Sequence, residues 1–272
     1  MSQHIKKPIV RSDLRLAVGR QILIFKRYLQ WFFSSKNFSR SHADKLPCSI
    51  FTHKSIIMRK LARVQMYLQE NKKTNLRLAS ARINNILIKP GETFSFWKTV
   101  GKTTKRKGYL EGLILKNGKQ DKGIGGGLCQ LSNLLYWMVL HTPLQVTERW
   151  RHSYDVFPDS NRTLPFASGA TVFYNYIDLQ IYNPTQQVFQ ICLWLDDEYL
   201  NGEIRSDKTW PLTYEIIEKN HRMEGTFWGG YIRHNELYRN IYDNSKKLID
   251  TEFIVENNAI MMYNPSLEGG SK

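Results

Sequence analysis

The sequence predicts an α+β protein with basic N-terminal helices, followed by an antiparallel-leaning sheet packed on a central helix that starts near Cys129. Three observations support this prediction. An N-terminal segment mixes apolar residues with cations, a glycine run leads into an apolar helical pattern, and the second half consists of short segments rich in β-branched and aromatic residues. With 272 residues, 42% of them apolar, the chain can form a substantial core, which excludes whole-chain disorder and a disulfide-stapled miniprotein.

The first element is a basic arm with one helix, read from Leu14 to Phe33, whose apolar residues are interrupted by four cations. These interruptions predict that it does not span a membrane. We also expect no secretory signal, and hence a cytoplasmic protein or one peripheral to the cytoplasmic membrane. Two interpretations remain open: residues 1–45 lie on an anionic membrane surface, or the helix packs on the protein and keeps a solvated basic face.

A second helix is predicted from Ile56 to Gln69, where apolar residues recur at spacings of 4, 3 and 4. From about residue 78 the pattern changes to short apolar runs. Residues 83–88 and 109–116 read as strands, Pro90-Gly91 marks a turn between 89 and 92, and Asn117-Gly118 closes the second strand. The central helix follows from Cys129 with one buried stripe: Leu128, Leu131, Leu134, Leu135, Met138 and Val139.

Beyond the central helix the chain is predicted to be mostly β, at residues 144–150, 170–176, 177–183, 187–196 and 211–218, with further strands or ordered loops at 226–233 and 251–263. The resulting organisation has three parts: a basic helical region over 1–75, a core domain over 76–200 and a β-rich extension over 201–272.

Charge is concentrated in the N-terminal part of the chain. Residues 1–107 hold 24 basic and 4 acidic side chains, whereas residues 108–272 hold 15 and 20, for a net charge of +15. Such a field favours an anionic partner: phospholipid headgroups, a cell-wall polymer or nucleic acid. Nucleic acid is the least favoured, because the sequence contains no recognisable reading helix or RNA-stacking motif.

The most informative motif is the run from Gly125 to Ser132, with glycines at 125, 126 and 127. Consecutive glycines permit positive φ and close backbone approach, and they lead directly into a helix. Cys129 would lie in the first helical turn, where the helix dipole stabilises a thiolate and free N–H groups hold an oxyanion, with Gln130 as a further donor. The alternative is that Cys129 is a small buried apolar residue and that the glycines permit tight packing.

A thiol nucleophile needs a base, and His152, which lies 23 residues beyond Cys129, is the candidate. Arg149 and Arg151 flank it and would bind a substrate carboxylate or phosphate, or lower the pKa of the histidine. The glycines and Ser132 are further candidates for substrate contact. The acidic residues that could orient His152 are Asp155, Asp159 and Asp178.

No cofactor or metal site is predicted. The sequence lacks the glycine spacing of a phosphate-binding or dinucleotide-binding loop, and it has no HExxH, CxxC or calcium-loop pattern. The three cysteines, Cys48, Cys129 and Cys192, allow at most one disulfide within the chain, so free thiols are expected.

From about Ile83 to Thr185 the sequence resembles the VanW family, which occurs among vancomycin-resistance proteins and in many bacterial cell-envelope proteins. The shared elements, in order, are Pro90-Gly91-Glu92, Phe94-Ser95-Phe96, Gly108-Tyr109, Gly125 to Ser132, Leu135-Tyr136, Arg151-His152-Ser153, Ala170-Thr171-Val172, Asp178-Leu179 and Asn183. The resemblance implies an accessory role in glycopeptide resistance with no established molecular activity.

One departure from the family concerns the position before Ala170. Many members carry an aspartate there, whereas this sequence has Gly169. If that aspartate completes a catalytic triad in relatives, the residue that orients His152 here would have to be Asp155 or Asp178.

Two functions follow as hypotheses. The first is a cysteine-dependent enzyme acting on peptidoglycan peptides or their precursors, with Cys129 as nucleophile and His152 as base. The second is a non-catalytic module that binds the cell envelope or an anionic polymer through its basic N-terminal part.

Overall fold

The structure is a computed structural model that describes residues 11–58, 66–116, 118–156 and 163–264. Within these ranges the mixed α+β class predicted from the sequence is confirmed. The elements are α1 (Asp13–Phe32), β1 (Asn37–Phe38), β2 (Cys48–Ile56), α2 (Met66–Ile83), β3 (Ile86–Ile88), β4 (Glu92–Ser95), α3 (Phe96–Val100), a 3-10 turn (Lys105–Lys107), β5 (Glu111–Lys116), β6 (Lys119–Ile124), α4 (Cys129–Leu140), β7 (Gln145–Glu148), β8 (Tyr154–Asp155), β9 (Gln180–Tyr182), β10 (Phe189–Leu195), β11 (Tyr199–Ser206), β12 (Thr213–Gly225), β13 (Tyr231–Tyr242) and β14 (Leu248–Met261).

The strands form three four-stranded sheets and one hairpin. Their orders are β1-β4-β9-β7, β2-β11-β10-β3 and β12-β13-β14-β8, and β5 pairs with β6. Among the described strands, only β1 with β4 and β14 with β8 pair in parallel. The predicted antiparallel tendency is therefore confirmed.

Helix α4 lies at the centre of the core. It begins at Cys129, as predicted, and packs against β2, β7 and β11. Its side chains are buried on nearly every side, including the predicted stripe of Leu131, Leu134, Leu135, Met138 and Val139. A helix that is apolar almost all round is typical of a fully buried position. Burial of each leucine or methionine contributes about 1.5–3 kcal/mol to the stability of the fold. The burial of α4 therefore anchors the candidate site at its first turns.

The predicted helix over 56–69 is wrong in its first part. Residues 48–56 form β2, which pairs with β11 from Ile56 opposite Tyr199 to Cys48 opposite Ser206. Residues 59–65 lie outside the described residues, and α2 runs from Met66 to Ile83. Within the predicted segment, residues 56–58 are therefore not helical, because the chain leaves β2 there, whereas residues 66–69 are helical as predicted.

The strand predictions are confirmed in most places, but one predicted strand is shorter, one predicted segment is irregular, and β2, β6 and β11 were not predicted. The first strand is shorter than the predicted 83–88, because α2 extends to Ile83. Residues 170–176 form the irregular segment. The proposed division points at 75/76 and 200/201 fall inside α2 and β11, respectively.

Candidate functional site

The glycine-rich turn, residues 125–127, connects the β5–β6 hairpin to α4. Gly125 and Gly127 have φ of +77° and +93°, a region that favours glycine. Gly126 lies against Gly112 of β5, and a Cβ added at Gly126 would be 2.2 Å from the carbonyl carbon of Gly112. Close packing between two backbones therefore requires glycine here, which agrees with the packing alternative.

The side chain of Asn75 on α2 holds this turn in place through three hydrogen bonds to the backbone. Its Nδ2 donates to the carbonyls of Leu110 and Gly126, both at 3.0 Å, and its Oδ1 accepts from the amide of Leu110 at 2.9 Å. The side chain is fully buried. Asn75 was not among the predicted site residues, although an amide side chain on the inner face of a helix is a recognisable sign of a buried hydrogen-bonding role.

Two amides in the first turn of α4 donate hydrogen bonds within the chain. Gln130 N donates to the carbonyl of Gly127 at 3.1 Å, and Leu131 N donates to that of Leu128 at 3.0 Å. The side chain of Gln130 donates to the carbonyl of Ile56 at 2.7 Å and to the hydroxyl of Ser55 at 3.0 Å. Gln130 thus holds the end of β2, and its side chain and the amides of Gln130 and Leu131 already have acceptors within the chain.

The thiol of Cys129 points to the protein backbone. Its Sγ donates to the carbonyl oxygen of Val172 at 3.7 Å, and burial raises its pKa above the usual value. Burial disfavours the charged thiolate more strongly here than the neighbouring backbone groups favour it. The observed environment is that of a neutral thiol. Cys48 and Cys192 are free thiols as well.

Helix α4 also holds a segment that we call the strap, residues 167–172. The hydroxyl of Ser132 donates to the carbonyl of Ala170 at 2.6 Å, and the amide of Ala170 donates to Oδ1 of Asn133 at 2.8 Å. Together with the contact from Cys129, three residues of the first two turns of α4 bind the backbone of the strap. The first two turns of α4 therefore hold the strap against the helix.

Gly169 is part of this arrangement. A Cβ at Gly169 would lie 2.3 Å from Oδ1 of Asn133, so the asparagine amide fills the space into which a larger residue would project. In this chain, an aspartate at position 169 would therefore require Asn133 to move.

Arg149 also binds the strap, through hydrogen bonds to two of its backbone carbonyls. Its Nε donates to the carbonyl of Gly169 at 2.9 Å, and one terminal nitrogen donates to that of Ala167 at 2.5 Å. The other terminal nitrogen donates to Oδ1 of Asn257 at 2.9 Å, and the guanidinium lies 4.9 Å from the ring centre of Tyr136. All three guanidinium nitrogens therefore have partners within the protein.

His152 lies beside Arg151, whose guanidinium donates to the carbonyl of His152 at 3.1 Å. Burial and the charge of Arg151 lower the pKa of His152 to about 4, and burial and Arg149 lower the pKa of Arg151 to about 10. Among the described residues, no hydrogen bond joins the imidazole of His152 to the thiol of Cys129. The proposed nucleophile and base are thus not hydrogen-bonded to each other.

Asp178 belongs to a different part of the molecule. Its carboxylate accepts from the hydroxyl of Ser95 at 2.6 Å and from the amides of Trp97 and Leu179, both at 3.0 Å. Burial nevertheless raises the pKa of Asp178 to about 6. Asp178 therefore caps the start of α3. Of the other two acidic candidates, Asp155 accepts a hydrogen bond from the hydroxyl of Tyr263 at 2.8 Å, and Asp159 lies outside the described residues.

Within the described ranges, no cluster of three or more histidine, cysteine or acidic side chains has the geometry of a metal site. The same ranges contain no helix that is both long and apolar enough to cross a membrane.

The fold and these contacts define a class: a mixed α+β protein in which a glycine-rich turn and the first turns of a buried helix clamp a strap of irregular backbone. Residues 71–205 match the family described as VanW like protein, and the chain belongs to the VanW family through this region. No solved structure matches the chain significantly.

Two relatives show the extent of the similarity. The chain is 41% identical over 169 residues to the vancomycin B-type resistance protein VanW of Enterococcus faecalis, an alignment that covers 62% of this chain and 59% of the relative. It is 34% identical over 113 residues to the uncharacterized protein YoaR of Bacillus subtilis, covering 42% and 36%. The chain thus aligns with less than two thirds of either relative.

Proposed function

We propose that this VanW-like protein is a non-catalytic accessory module of the cell envelope that docks on the anionic surface of the cytoplasmic membrane through α1. One observation carries the proposal, namely the orientation of this helix. Its single buried residue is the charged Arg27, whereas most of its large apolar side chains face solvent. A helix that packed on the protein to form core would show the opposite arrangement.

The exposed apolar residues form one continuous face, which we call the α1 stripe. Its members follow each other at spacings of 4, 4, 3, 4 and 3, so they lie on the same side of the helix. They are between 41% and 81% exposed: Leu14, Val18, Ile22, Phe25, Leu29 and Phe32. An exposed apolar patch of this kind typically marks a surface that binds a partner or a membrane.

Polar contacts hold the opposite side of α1 on the protein. Arg27 donates to both carboxylate oxygens of Glu148, at 2.8 and 2.5 Å. The hydroxyls of Tyr28 and Tyr174 are 2.5 Å apart, and Arg20 lies over the ring of Phe173. These contacts fix the helix so that the α1 stripe points away from the body of the protein.

The charges beside the α1 stripe favour an anionic bilayer over a second copy of the chain. Arg15 and Lys26 are exposed next to the stripe, without an ion pair to any described residue, and Asp13 is the only acidic residue of the helix. A second copy would bring like charges together. An anionic membrane accepts the apolar side chains and contributes about 1 kcal/mol for each nearby cation.

The name of one relative supports a biological setting for the proposal. Because one of them is named for type-B vancomycin resistance, we extend the proposal to an accessory role in glycopeptide resistance, with peptidoglycan or its precursors as the partner. The alternative, a cysteine-dependent enzyme acting on peptidoglycan peptides, has less support, because Cys129 is a partly buried thiol with a raised pKa that is hydrogen-bonded to a backbone carbonyl.

Co-sedimentation with lipid vesicles tests the proposal. The full chain should bind vesicles that contain phosphatidylglycerol, bind pure phosphatidylcholine vesicles weakly, and lose binding between about 0.05 and 0.5 M salt. Phe25→Ser should weaken binding about tenfold, because it removes one apolar side chain from the lipid interface. Phe253→Ser on β14 is the matched control, since Phe253 is 57% exposed and Phe25 is 63% exposed.

Two outcomes would contradict the proposal. One is equal loss of binding in the two phenylalanine variants, or none in either. The other is a dimer in light scattering that Phe25→Ser dissociates while vesicles bind no protein, which would make a second copy the occupant of the stripe. Point variants are preferable to deletion of residues 1–45, because that deletion would also remove β1 from its sheet.

A further inference from the structure

A cleft at the C-terminal end of α1 has the composition of an anion site. It has a volume of about 480 Å³ and lies between the end of the helix, the segment 34–41 and the start of α3. Three cations line it, Lys36, Arg40 and Lys98, against one carboxylate, Glu92. Glu92 accepts from the amide of Lys89 at 3.1 Å, so it is already engaged outside this group of cations.

The three cations have no carboxylate partner among the described residues. Lys36 donates to the amide oxygen of Gln180 at 2.8 Å, and the side chain of Arg40 makes no hydrogen bond or ion pair with any residue that the structure describes. Lys98 is held by aromatic rings, with its Nζ 4.0 Å from the ring centre of Phe38 and 5.6 Å from that of Trp31. Burial and the neighbouring charge of Arg40 lower the pKa of Lys98. An anion bound between Arg40 and Lys98 would relieve this repulsion.

A donor without a partner lies in the same wall. Trp31 lines the cleft, and its indole N–H is buried with no acceptor in the described part of the chain. A buried donor of this kind is costly unless a ligand or water accepts from it. Trp31 also lines an adjoining cleft of about 380 Å³ with Arg27, whose Nε is likewise buried and unpartnered.

We propose that this cleft binds a phosphate group, with Arg40 and Lys98 as the principal charged contacts and the Trp31 indole as a neutral donor. Guanidinium, ammonium and indole N–H groups around a concave site match the charge and the several acceptor oxygens of a phosphate. The phosphate could belong to a lipid headgroup or to a soluble phosphate compound. The exposed Phe32 beside the cleft favours the lipid, and that form of the proposal rests on the proposed membrane docking.

Calorimetric titration of the full chain with glycerol phosphate, without vesicles, tests the site independently of membrane docking. We expect binding in the millimolar range or tighter, weakened about tenfold by Lys98→Met, which keeps the packing of the lysine stem but removes its charge. Arg40→Gln, at an exposed residue, should weaken binding severalfold without affecting folding. Arg106→Gln, at an exposed cation outside the cleft, is the control and should bind as the wild type does.

Absence of binding at 10 mM glycerol phosphate, or equal affinity in the Lys98→Met and wild-type proteins, would overturn the site. Phe25→Ser should keep glycerol phosphate binding while weakening vesicle binding about tenfold, so failure of the two proposals can be told apart. Vesicles with phosphatidic acid or phosphatidylglycerol at equal surface charge identify the source. A preference for phosphatidic acid that Lys98→Met abolishes supports a lipid headgroup, and glycerol phosphate binding without that preference supports a soluble phosphate.

Discussion

The contact between Gly126 and Gly112 makes a quantitative prediction about the glycine-rich turn. Gly126 has no positive φ, so alanine is compatible with its backbone conformation and the effect of Gly126→Ala is steric. The new Cβ would lie 2.2 Å from the carbonyl carbon of Gly112, and carbon atoms need about 3.5 Å. The two backbones would therefore have to separate by roughly an ångström.

Such a separation would also strain the hydrogen bonds of Asn75 to Gly126 and Leu110. Overpacking alone costs about 1–3 kcal/mol, and each weakened hydrogen bond costs about 1 kcal/mol more. We therefore expect Gly126→Ala to lower the free energy of unfolding by about 3 kcal/mol or more. Urea unfolding followed by circular dichroism measures this change.

Gly19→Ala is the control for this experiment. Gly19 lies inside α1 with nothing within 4 Å of an added Cβ, so alanine should stabilise the protein by about 0.5–1 kcal/mol through helix propensity. If Gly126→Ala unfolds within about 0.5 kcal/mol of the wild type, the close approach of the two backbones does not stabilise the turn, and the packing explanation for the glycines is refuted.

Two further predictions concern titratable groups. In a Cys48→Ser/Cys192→Ser background, Cys129 should react with iodoacetamide at pH 7 more slowly than free cysteine, because burial raises the pKa of its thiol; a faster reaction would favour the nucleophile hypothesis. The raised pKa of Asp178, about 6 against 3.8, stabilises the protein at low pH, and about 3 kcal/mol of this is lost as the pH rises from 4 to 6. The lowered pKa of His152, about 4 against 6.5, acts in the opposite direction, with stability lost as the pH falls from 6.5 to 4. Urea unfolding between pH 4 and 7 should therefore show a steeper gain with pH in Asp178→Asn and a smaller gain in His152→Gln than in the wild type, and parallel profiles would contradict both assignments.

Local pattern was sufficient to predict α4 but not the partners of its polar side chains. The glycines and the leucine spacing specify where the helix begins and that it is buried, since both depend on residues close in sequence. The carbonyl that accepts from Cys129 belongs to Val172, 43 residues further along the chain. Only the packing of the strap against α4 brings the two together, and no sequence spacing encodes that approach.

The same limit applies to α1. Its helical spacing and its cations are evident in the sequence, but which face turns inward depends on Glu148, 121 residues away from Arg27. The bidentate pair between them turns the charged side of the helix inward and the apolar side outward. Apolar periodicity alone predicts the reverse, because most amphipathic helices bury their apolar face.

The distribution of satisfied and unsatisfied groups indicates which side of the protein is available to a partner. Around α4, Gln130, Ser132 and Arg149 each bind backbone carbonyls, so a substrate would have to displace the strap or β2 and leave buried groups without partners at about 1–3 kcal/mol each. Around α1, three features occur together: the cations Lys36, Arg40 and Lys98, which have no carboxylate partner among the described residues, a buried indole donor with no acceptor among them, and the exposed α1 stripe. Binding there would satisfy groups that the folded chain leaves open. We therefore expect ligands to contact the α1 side, while the α4 motif holds together the scaffold that supports it.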